Sequence, residues 1–212
     1  IYKFNKRELV YYSIKFANSL NFINKTIFSS DSKKYLNIAK KCGSKHNYIR
    51  PKKLSGDNSQ TIDLVNDILK NELKKNQDYG YVLILQPTSP FRLKSDFNLA
   101  YKNLIKKKYD SAITVTKVDE HPERMKIFKK HSRVENYIKM SKESLIPRQK
   151  LSKVYIRAGS MYFTSVKSLY KNNSLVGKKV FGIKVKDKYS LNIDTKKDLI
   201  LAKYYFDVKN RK

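Results

Sequence analysis

Apolar residues recur along the chain with two different spacings, which alternate from the amino to the carboxyl end. Leu9, Tyr12, Phe16 and Leu20 fall on one helical face, which predicts a helix over 8–20. Residues 81–85 are continuously apolar, as expected of a strand buried on both faces. Further strands are predicted at 25–30, 46–49, 111–115, 154–163 and 179–185, and further helices at 32–41, 61–74, 95–106 and 198–208.

Strands and helices thus alternate with short connections, which predicts a mostly parallel sheet covered by helices on both faces. Gly43 is expected to end helix 32–41, and Ser95 is expected to cap helix 95–106. Residues 119–153 are polar and contain prolines, so they are interpreted as an excursion from the main sheet. Because no repeat or linker interrupts the pattern, residues 1–212 are predicted to form one domain.

The beginning of the chain departs from this alternation. It enters helix 8–20 directly, with no predicted strand before it and no Met at position 1. In doubly wound folds the first strand is usually central, and the turn after it usually binds nucleotide phosphates. The chain is therefore expected to be a fragment that lacks this strand and turn.

The formal net charge of +29 favours anionic partners. Only eight of the 47 basic residues are Arg, however, whereas Arg is the residue that suits bidentate contacts to phosphates and bases. Nucleic acid is therefore not the predicted partner. No apolar run approaches the length of a membrane span, and the single cysteine, Cys42, favours a reducing cytoplasm.

Residues 85–92, LQPTSPFR, carry the most informative polar groups of the chain. They follow a buried strand directly, at the edge of the sheet where open α/β folds bind ligands. Gln86, Thr88 and Ser89 supply neutral hydrogen-bonding groups, and Arg92 supplies a positive charge. Chemistry alone leaves two interpretations open: a ligand site, or a rigid turn with capping hydroxyls.

Two more segments lie between a strand and a helix. Residues 50–61 offer Arg50 to a phosphate, and Ser59 or Thr61 to a base edge; the alternative is a loop that ends in a helix cap. Asn192 and Asp194 stand at i and i+2, so in an extended segment their oxygens point the same way, which suits Mg²⁺. The alternative for Asp194 is an ordinary acid at a helix start. The scattered histidines offer no zinc site.

In this order and spacing, the three segments resemble the acylneuraminate cytidylyltransferase family (CMP-sialic acid synthetases). The resemblance extends from Ile1 to about Ala202, and LQPTSPFR is its most specific motif. It implies a three-layer α/β/α, Rossmann-like nucleotidyltransferase. Such an enzyme transfers CMP from CTP to the anomeric hydroxyl of a nine-carbon acidic sugar and releases pyrophosphate.

The same resemblance implies roles for individual residues. The excursion 119–153 would be a dimerisation arm of a homodimer. No side chain is assigned as a general base. Arg50, Ser59 and Thr61 would belong to the cytidine side; Gln86, Pro87, Thr88, Ser89 and Tyr162 would face the sugar; Asp194 and Asn192 would hold Mg²⁺.

Three departures from the family pattern matter. The family's first strand and its basic, glycine-containing phosphate loop would end just before Ile1, so little turnover is expected from the chain as written. Asn192 replaces the first of two tail aspartates, so weaker metal binding is expected. The family's Arg-x-Asn-Gly appears as Ile156-Arg157-Ala158-Gly159, which leaves N-acylneuraminate, legionaminate and related sugars open.

Two other functions compete with this prediction. One is a non-catalytic protein that binds anions or nucleic acid on a decayed nucleotidyltransferase scaffold, which predicts binding with a steep salt dependence. The other is a sugar nucleotidyltransferase that uses a different base, or a Kdo- or pseudaminate-type sugar.

Overall fold

The structure is a computed structural model that describes residues 2–106, 108–138 and 146–210, the side chains of 148 and 208–210 excepted. Its strands are β1 (Lys3–Phe4), β2 (Arg7–Glu8), β3 (Ile27–Ser30), β4 (His46–Ile49), β5 (Tyr81–Ile84), β6 (Ser111–Lys117), β7 (Lys126–Phe128), β8 (Val134–Asn136), β9 (Tyr155–Ser165) and β10 (Val180–Lys184). Its helices are α1 (Leu9–Asn18), α2 (Lys33–Lys41), α3 (Thr61–Leu73), α4 (Lys94–Ile105), α5 (Val166–Asn172), α6 (Asp187–Ser190) and α7 (Lys196–Asn210).

The main sheet has four strands in the order β10-β6-β9-β5. β10 and β6 are parallel, and β9 is antiparallel to both β6 and β5. Three of the four strands therefore run in one direction, and their carboxyl ends share one edge. A second, two-stranded sheet pairs β3 and β4 in parallel. The predicted α/β fold is confirmed, although β9 makes two of the three pairings in the main sheet antiparallel.

β5 shows why the fold has three layers. Tyr81, Leu83 and Leu85 pack into the cluster that contains α4, whereas Val82 and Ile84 pack into the cluster formed by α3 and α5. Successive side chains of a strand point to opposite faces, so this alternation places helices on both sides of the sheet. The apolar run at 81–85 is covered on both faces, as predicted.

The end of α2 follows the sequence prediction. Gly43 has a φ of +97°, a left-handed conformation that favours glycine. The amide of Ser44 donates to the carbonyl of Ala39 at 2.9 Å, and that of Gly43 donates to Lys40 at 2.9 Å, which satisfies the last helical carbonyls.

Two local predictions were wrong. Ser95 does not cap α4: the helix begins at Lys94, and Leu93 precedes it without a side-chain cap. The chain does not enter α1 directly, because β1 and β2 form a short hairpin before it. Asn5 and Lys6 both have positive φ, as the tight turn of a two-residue hairpin requires. Asn5 was therefore a weak signal of this hairpin in the sequence.

The excursion at 119–153 contains a hairpin of β7 and β8, which forms its own two-stranded sheet apart from the main one. The prediction of an excursion is confirmed for the described residues 119–138 and 146–153. Residues 139–145 lie outside the described part. Among the described helices, none has both the length and the apolar character needed to cross a membrane.

Candidate active site

The site begins where β5 ends, beside an irregularity in β9. Ile84 pairs with Tyr162, and the register of β9 against β6 shifts between Tyr162 and Arg157, which marks a bulge. Gly159 lies in this bulge with a φ of +72°, and a Cβ built on it would stand 3.3 Å from Oε1 of Gln86. The bulge therefore brings the backbone of β9 close to the amide of Gln86.

A cavity of about 290 Å³ opens beside this point. It brings together three residues that the sequence predicted for two different substrates: Thr61 for cytidine, and Gln86 and Tyr162 for the sugar. The remaining lining residues were not predicted as site residues: Gln60, Ile62, Ile84, Arg157, Asn173, Ser174, Leu175 and Val176.

Arg92 does not line the cavity but contacts Gln86, which does. Its guanidinium donates to the carbonyl of Gln86 at 2.6 Å, to the carbonyl of Ser160 at 3.1 Å and to Oγ of Ser13 at 3.1 Å. Burial lowers the pKa of Arg92 to about 9, so the side chain remains a cation at neutral pH. Arg92 thus ties α1, the segment after β5 and the β9 bulge together.

A second polar group lies at the tail segment before α7. Ser89, only 1% exposed, donates from Oγ to Oδ1 of Asn192 at 2.9 Å, and Nδ2 of Asn192 donates to Asp194 at 2.7 Å. The amide of Ile193 donates to the carbonyl of Thr88 at 2.7 Å. These bonds fix the tail against the segment that follows β5.

The cap of α7 is supplied by other residues than Asp194. The carboxylate of Asp198 accepts from the amide of Thr195 at 2.8 Å, and Oγ1 of Thr195 accepts from the amide of Asp198 at 3.3 Å. This reciprocal pair is a capping box, and its hydrogen bonds lower the pKa of Asp198. Asp194 is therefore not needed as a helix-start acid.

The Asp194 carboxylate suits a magnesium ion that is held mainly by its nucleotide, whereas Asn192 presents its Nδ2 to Asp194 and its Oδ1 to Ser89. No group of three or more His, Cys, Asp or Glu side chains that suits a metal occurs in the described part of the chain. Mg²⁺ needs only one or two protein carboxylates when substrate phosphates complete its coordination. The carboxylate of Asp194 meets this requirement, with the side chain of Asn192 next to it.

With this geometry in view, comparisons with known proteins decide the family. A family model described as cytidylyltransferase matches residues 1–205. The chain belongs to the cytidylyltransferase family. It is 26% identical to the pseudaminic acid cytidylyltransferase of Campylobacter jejuni over 208 residues, which cover 98% of this chain and 89% of that protein. It is also 26% identical to the N-acylneuraminate cytidylyltransferase of Escherichia coli, covering 97% of this chain and 47% of that protein.

The fold agrees with this membership. The solved structure of CMP:2-keto-3-deoxy-manno-octonic acid synthetase complexed with CTP superposes with a TM-score of 0.66 at 9% identity. The superposition covers 98% of this chain and 91% of that one. The mixed α/β architecture is therefore the fold of that structure.

In this cytidylyltransferase, some predicted site residues lie outside the cavity. Arg50, directly after β4, donates to the carbonyl of Ser29 at 3.3 Å, and its Nε is buried without a partner among the described residues. Ser59 bonds through its amide to the carbonyl of Gly56 at 2.9 Å. Neither side chain lines the cavity, so their roles toward cytidine stay predictions.

The three residues after Gln86 also differ in exposure. Pro87 is exposed, Thr88 is half-buried and Ser89 is buried. None of the three lines the cavity, whereas Gln86 does. Their roles toward the sugar stay predictions, and the structure assigns Thr88 and Ser89 contacts to the tail segment.

Proposed function

We propose that this cytidylyltransferase transfers CMP from CTP to the anomeric hydroxyl of a nine-carbon acidic sugar and releases pyrophosphate. The relatives support the substrate class, since the Campylobacter and Escherichia proteins are named for pseudaminic acid and N-acylneuraminate. The observation that carries the proposal is the cavity that joins Thr61 with Gln86 and Tyr162. Such a cavity suits two substrates that must meet at one reacting phosphorus.

In the proposed reaction, the anomeric oxygen attacks the α-phosphorus of CTP. A bond forms between these two atoms, the bond from the α-phosphorus to the bridging oxygen breaks, and the hydroxyl proton passes to solvent. The protein positions the substrates and stabilises the charge that develops, as in other phosphoryl transfers.

We propose that residues 1–212 act as one unit in the cytoplasm, which agrees with the family match over 1–205 and with the free Cys42.

The test is pyrophosphate release with CTP, Mg²⁺ and a panel of pseudaminic, legionaminic and N-acetylneuraminic acids. It is run on residues 1–212 and on the same chain preceded by a basic, glycine-containing loop. We expect turnover with CTP and at least one acid, and the faster turnover from the longer chain. Absence of turnover from both folded chains with every acid would contradict the proposal.

We propose that Asp194 binds the Mg²⁺ that accompanies CTP. The metal would supply positive charge to the phosphates, while Asn192, whose amide bonds to Asp194, would contribute no charge of its own. The capping box formed by Thr195 and Asp198 supports this role, since the Asp194 carboxylate is not used to cap α7.

Asn192→Asp is expected to lower the Mg²⁺ concentration at half-maximal rate about 10-fold, because it adds a carboxylate beside Asp194. A Mg²⁺ titration of the rate measures the change, and Mn²⁺ binding followed by electron paramagnetic resonance checks it without turnover. The matched control is Asn98→Asp, which adds the same charge at an exposed position of α4. Equal Mg²⁺ requirements in Asn192→Asp and the control would contradict the assignment.

We propose that the hairpin of β7 and β8 packs against a second copy of this chain. Phe128, Tyr137 and Val134 are 75%, 62% and 52% exposed, which is unusual for large apolar side chains that lie so close together. A two-stranded hairpin is marginally stable by itself, so a partner surface would stabilise it. A homodimer contact supplies such a surface.

Phe128→Asp is expected to convert a dimer into a monomer, because it places a charge in the apolar face of the hairpin. Sedimentation velocity measures the mass, which we expect to be that of two chains before the change and of one chain after it. Leu99→Asp is the control, since Leu99 is 47% exposed on α4, outside the hairpin. An unmodified chain that sediments as a monomer at micromolar concentration would rule out the contact.

A further inference from the structure

The cavity wall carries a single charged side chain, Arg157, among the described residues that line it. The other polar side chains of the wall are neutral amides and hydroxyls, and none of the described lining residues is Asp or Glu. Arg157 lies in β9, on the far side of the bulge at Gly159 from Tyr162. A positive charge therefore faces a space otherwise bounded by neutral groups.

Arg157 has no anionic partner among the residues that the structure describes. Within the described residues, the guanidinium of Arg157 makes no hydrogen bond and no ion pair. The guanidinium of Arg92, by contrast, makes three hydrogen bonds. A guanidinium presents five N–H donors in a planar fork that matches a carboxylate or a phosphate with two parallel bonds. An unpaired Arg in a concave site is thus fitted to an anion from outside the chain.

The position of Arg157 favours the sugar over the nucleotide as the source of that anion. Arg157 shares its strand with Tyr162 and stands across the bulge from Gln86, the two residues predicted to face the sugar. Thr61, predicted for cytidine, begins α3, whereas the candidate metal ligand Asp194 lies on the tail beyond Ser89. The triphosphate would bind with its metal, on the Asp194 side.

A nine-carbon ulosonic acid carries its carboxylate on the anomeric carbon, next to the hydroxyl that attacks phosphorus. A group that holds this carboxylate also fixes the direction of the attacking oxygen. The remaining wall offers Asn173 and Ser174, whose amide and hydroxyl suit the neutral substituents of such a sugar. Charge recognition at one end and neutral hydrogen bonds at the other match the chemistry of an acidic sugar.

We propose that Arg157 binds the carboxylate of the acidic sugar and orients its anomeric hydroxyl toward the nucleotide. This inference rests on the proposed function, because it takes the acidic sugar as the substrate. It assigns Arg157 a specificity-determining role: the site distinguishes the acid from an otherwise identical neutral sugar.

The experiment compares acids with their methyl esters by calorimetric titration, which needs no turnover. Pseudaminic, legionaminic and N-acetylneuraminic acids and their methyl esters are titrated into the unmodified chain, Arg157→Gln, Arg157→Lys and Lys153→Gln. Lys153→Gln is the matched control, because it removes one positive charge from an exposed position near the start of β9 and outside the cavity.

We expect Arg157→Gln to weaken binding of the preferred acid about 10- to 100-fold, and to leave binding of its ester within about twofold. Arg157→Lys should recover only part of the loss, since an ammonium lacks the planar fork. The KM for CTP should not change in any of the variants. Lys153→Gln should bind the acid as the unmodified chain does.

Unchanged acid binding in Arg157→Gln would overturn the inference, and so would an equal loss in Lys153→Gln. A raised KM for CTP with unchanged acid binding would assign Arg157 to the phosphates and would also overturn it. If the acid binds through Arg157 but no pyrophosphate is released with any acid, the proposed function fails and the carboxylate site stands. If neither acids nor esters bind, both fail.

Discussion

Gly159→Val is expected to lower kcat/KM for the sugar about 100-fold with a much smaller effect on folding. A Cβ at this position would stand 3.3 Å from Oε1 of Gln86 and 3.9 Å from Oγ of Ser89, and valine adds two methyl groups beyond it. The Gln86 amide must move to admit them, and a displacement of about 1 Å at a substrate contact can cost about 100-fold in rate. The φ of +72° also disfavours any side chain, at a cost of about 1–2 kcal/mol.

The matched control is Gly80→Ala, since a Cβ on Gly80 would meet no atom within 4 Å. Steady-state kinetics with varied sugar measure the effect on the site, and urea unfolding measures the free energy of unfolding. We expect Gly80→Ala to retain kcat/KM within about threefold, which is a barrier change below about 0.7 kcal/mol. Wild-type kcat/KM in Gly159→Val would show that Gln86 does not contact the sugar from its present position.

Arg92→Met is expected to reduce the free energy of unfolding by about 3–5 kcal/mol. It leaves the carbonyls of Gln86 and Ser160 and the hydroxyl of Ser13 without their donor, in a region where Ser13 is only 6% exposed. Buried acceptors without partners cost about 1–3 kcal/mol each, while release from burying a cation offsets part of that sum. The loss is large against the roughly 5–15 kcal/mol by which domains are stable.

Arg124→Met is the control for this substitution, because Arg124 is exposed and donates a single bond of 3.4 Å to Ile146. We expect it to change the free energy of unfolding by less than about 0.5 kcal/mol. Arg92→Lys should fall between the two, since an ammonium keeps the charge and reaches fewer of the three acceptors. Equal urea midpoints for Arg92→Met and Arg124→Met would contradict the role of Arg92 as a link between the segments.

The sequence predicted most elements of the fold because their signals are local. The run at 81–85 marked β5, helical spacing over 61–74 marked α3, and Gly43 marked the end of α2, as the structure confirms. The Ser95 prediction was wrong because α4 begins one residue earlier, after the apolar Leu93 and without a side-chain cap, so the type of a nearby polar residue did not locate the start. The hairpin of β1 and β2 was missed because two-residue strands contain too few positions to show an alternation.

The residues of the candidate site were also predicted from the sequence only in part. Sequence spacing selected Gln86, Thr61 and Tyr162, which the structure brings to one cavity from α3, β9 and the segment after β5. It did not select Arg157, Asn173 or Ser174, because these residues line the cavity only through the β9 bulge and the turn after α5. Residue type alone also left open which way Arg92 points, whereas the structure directs its guanidinium inward to backbone carbonyls.

The sequence by itself determined the family, the alternation of strands and helices, and the motif after β5, because each depends on neighbours along the chain. Only the tertiary structure decided which charges are satisfied within the protein and which are left for a ligand. Arg92 and Arg157 have the same side chain, yet Arg92 donates to three acceptors, whereas Arg157 lines a cavity and donates to none of the described residues. That difference arises from contacts between segments far apart in sequence, and no local pattern records them.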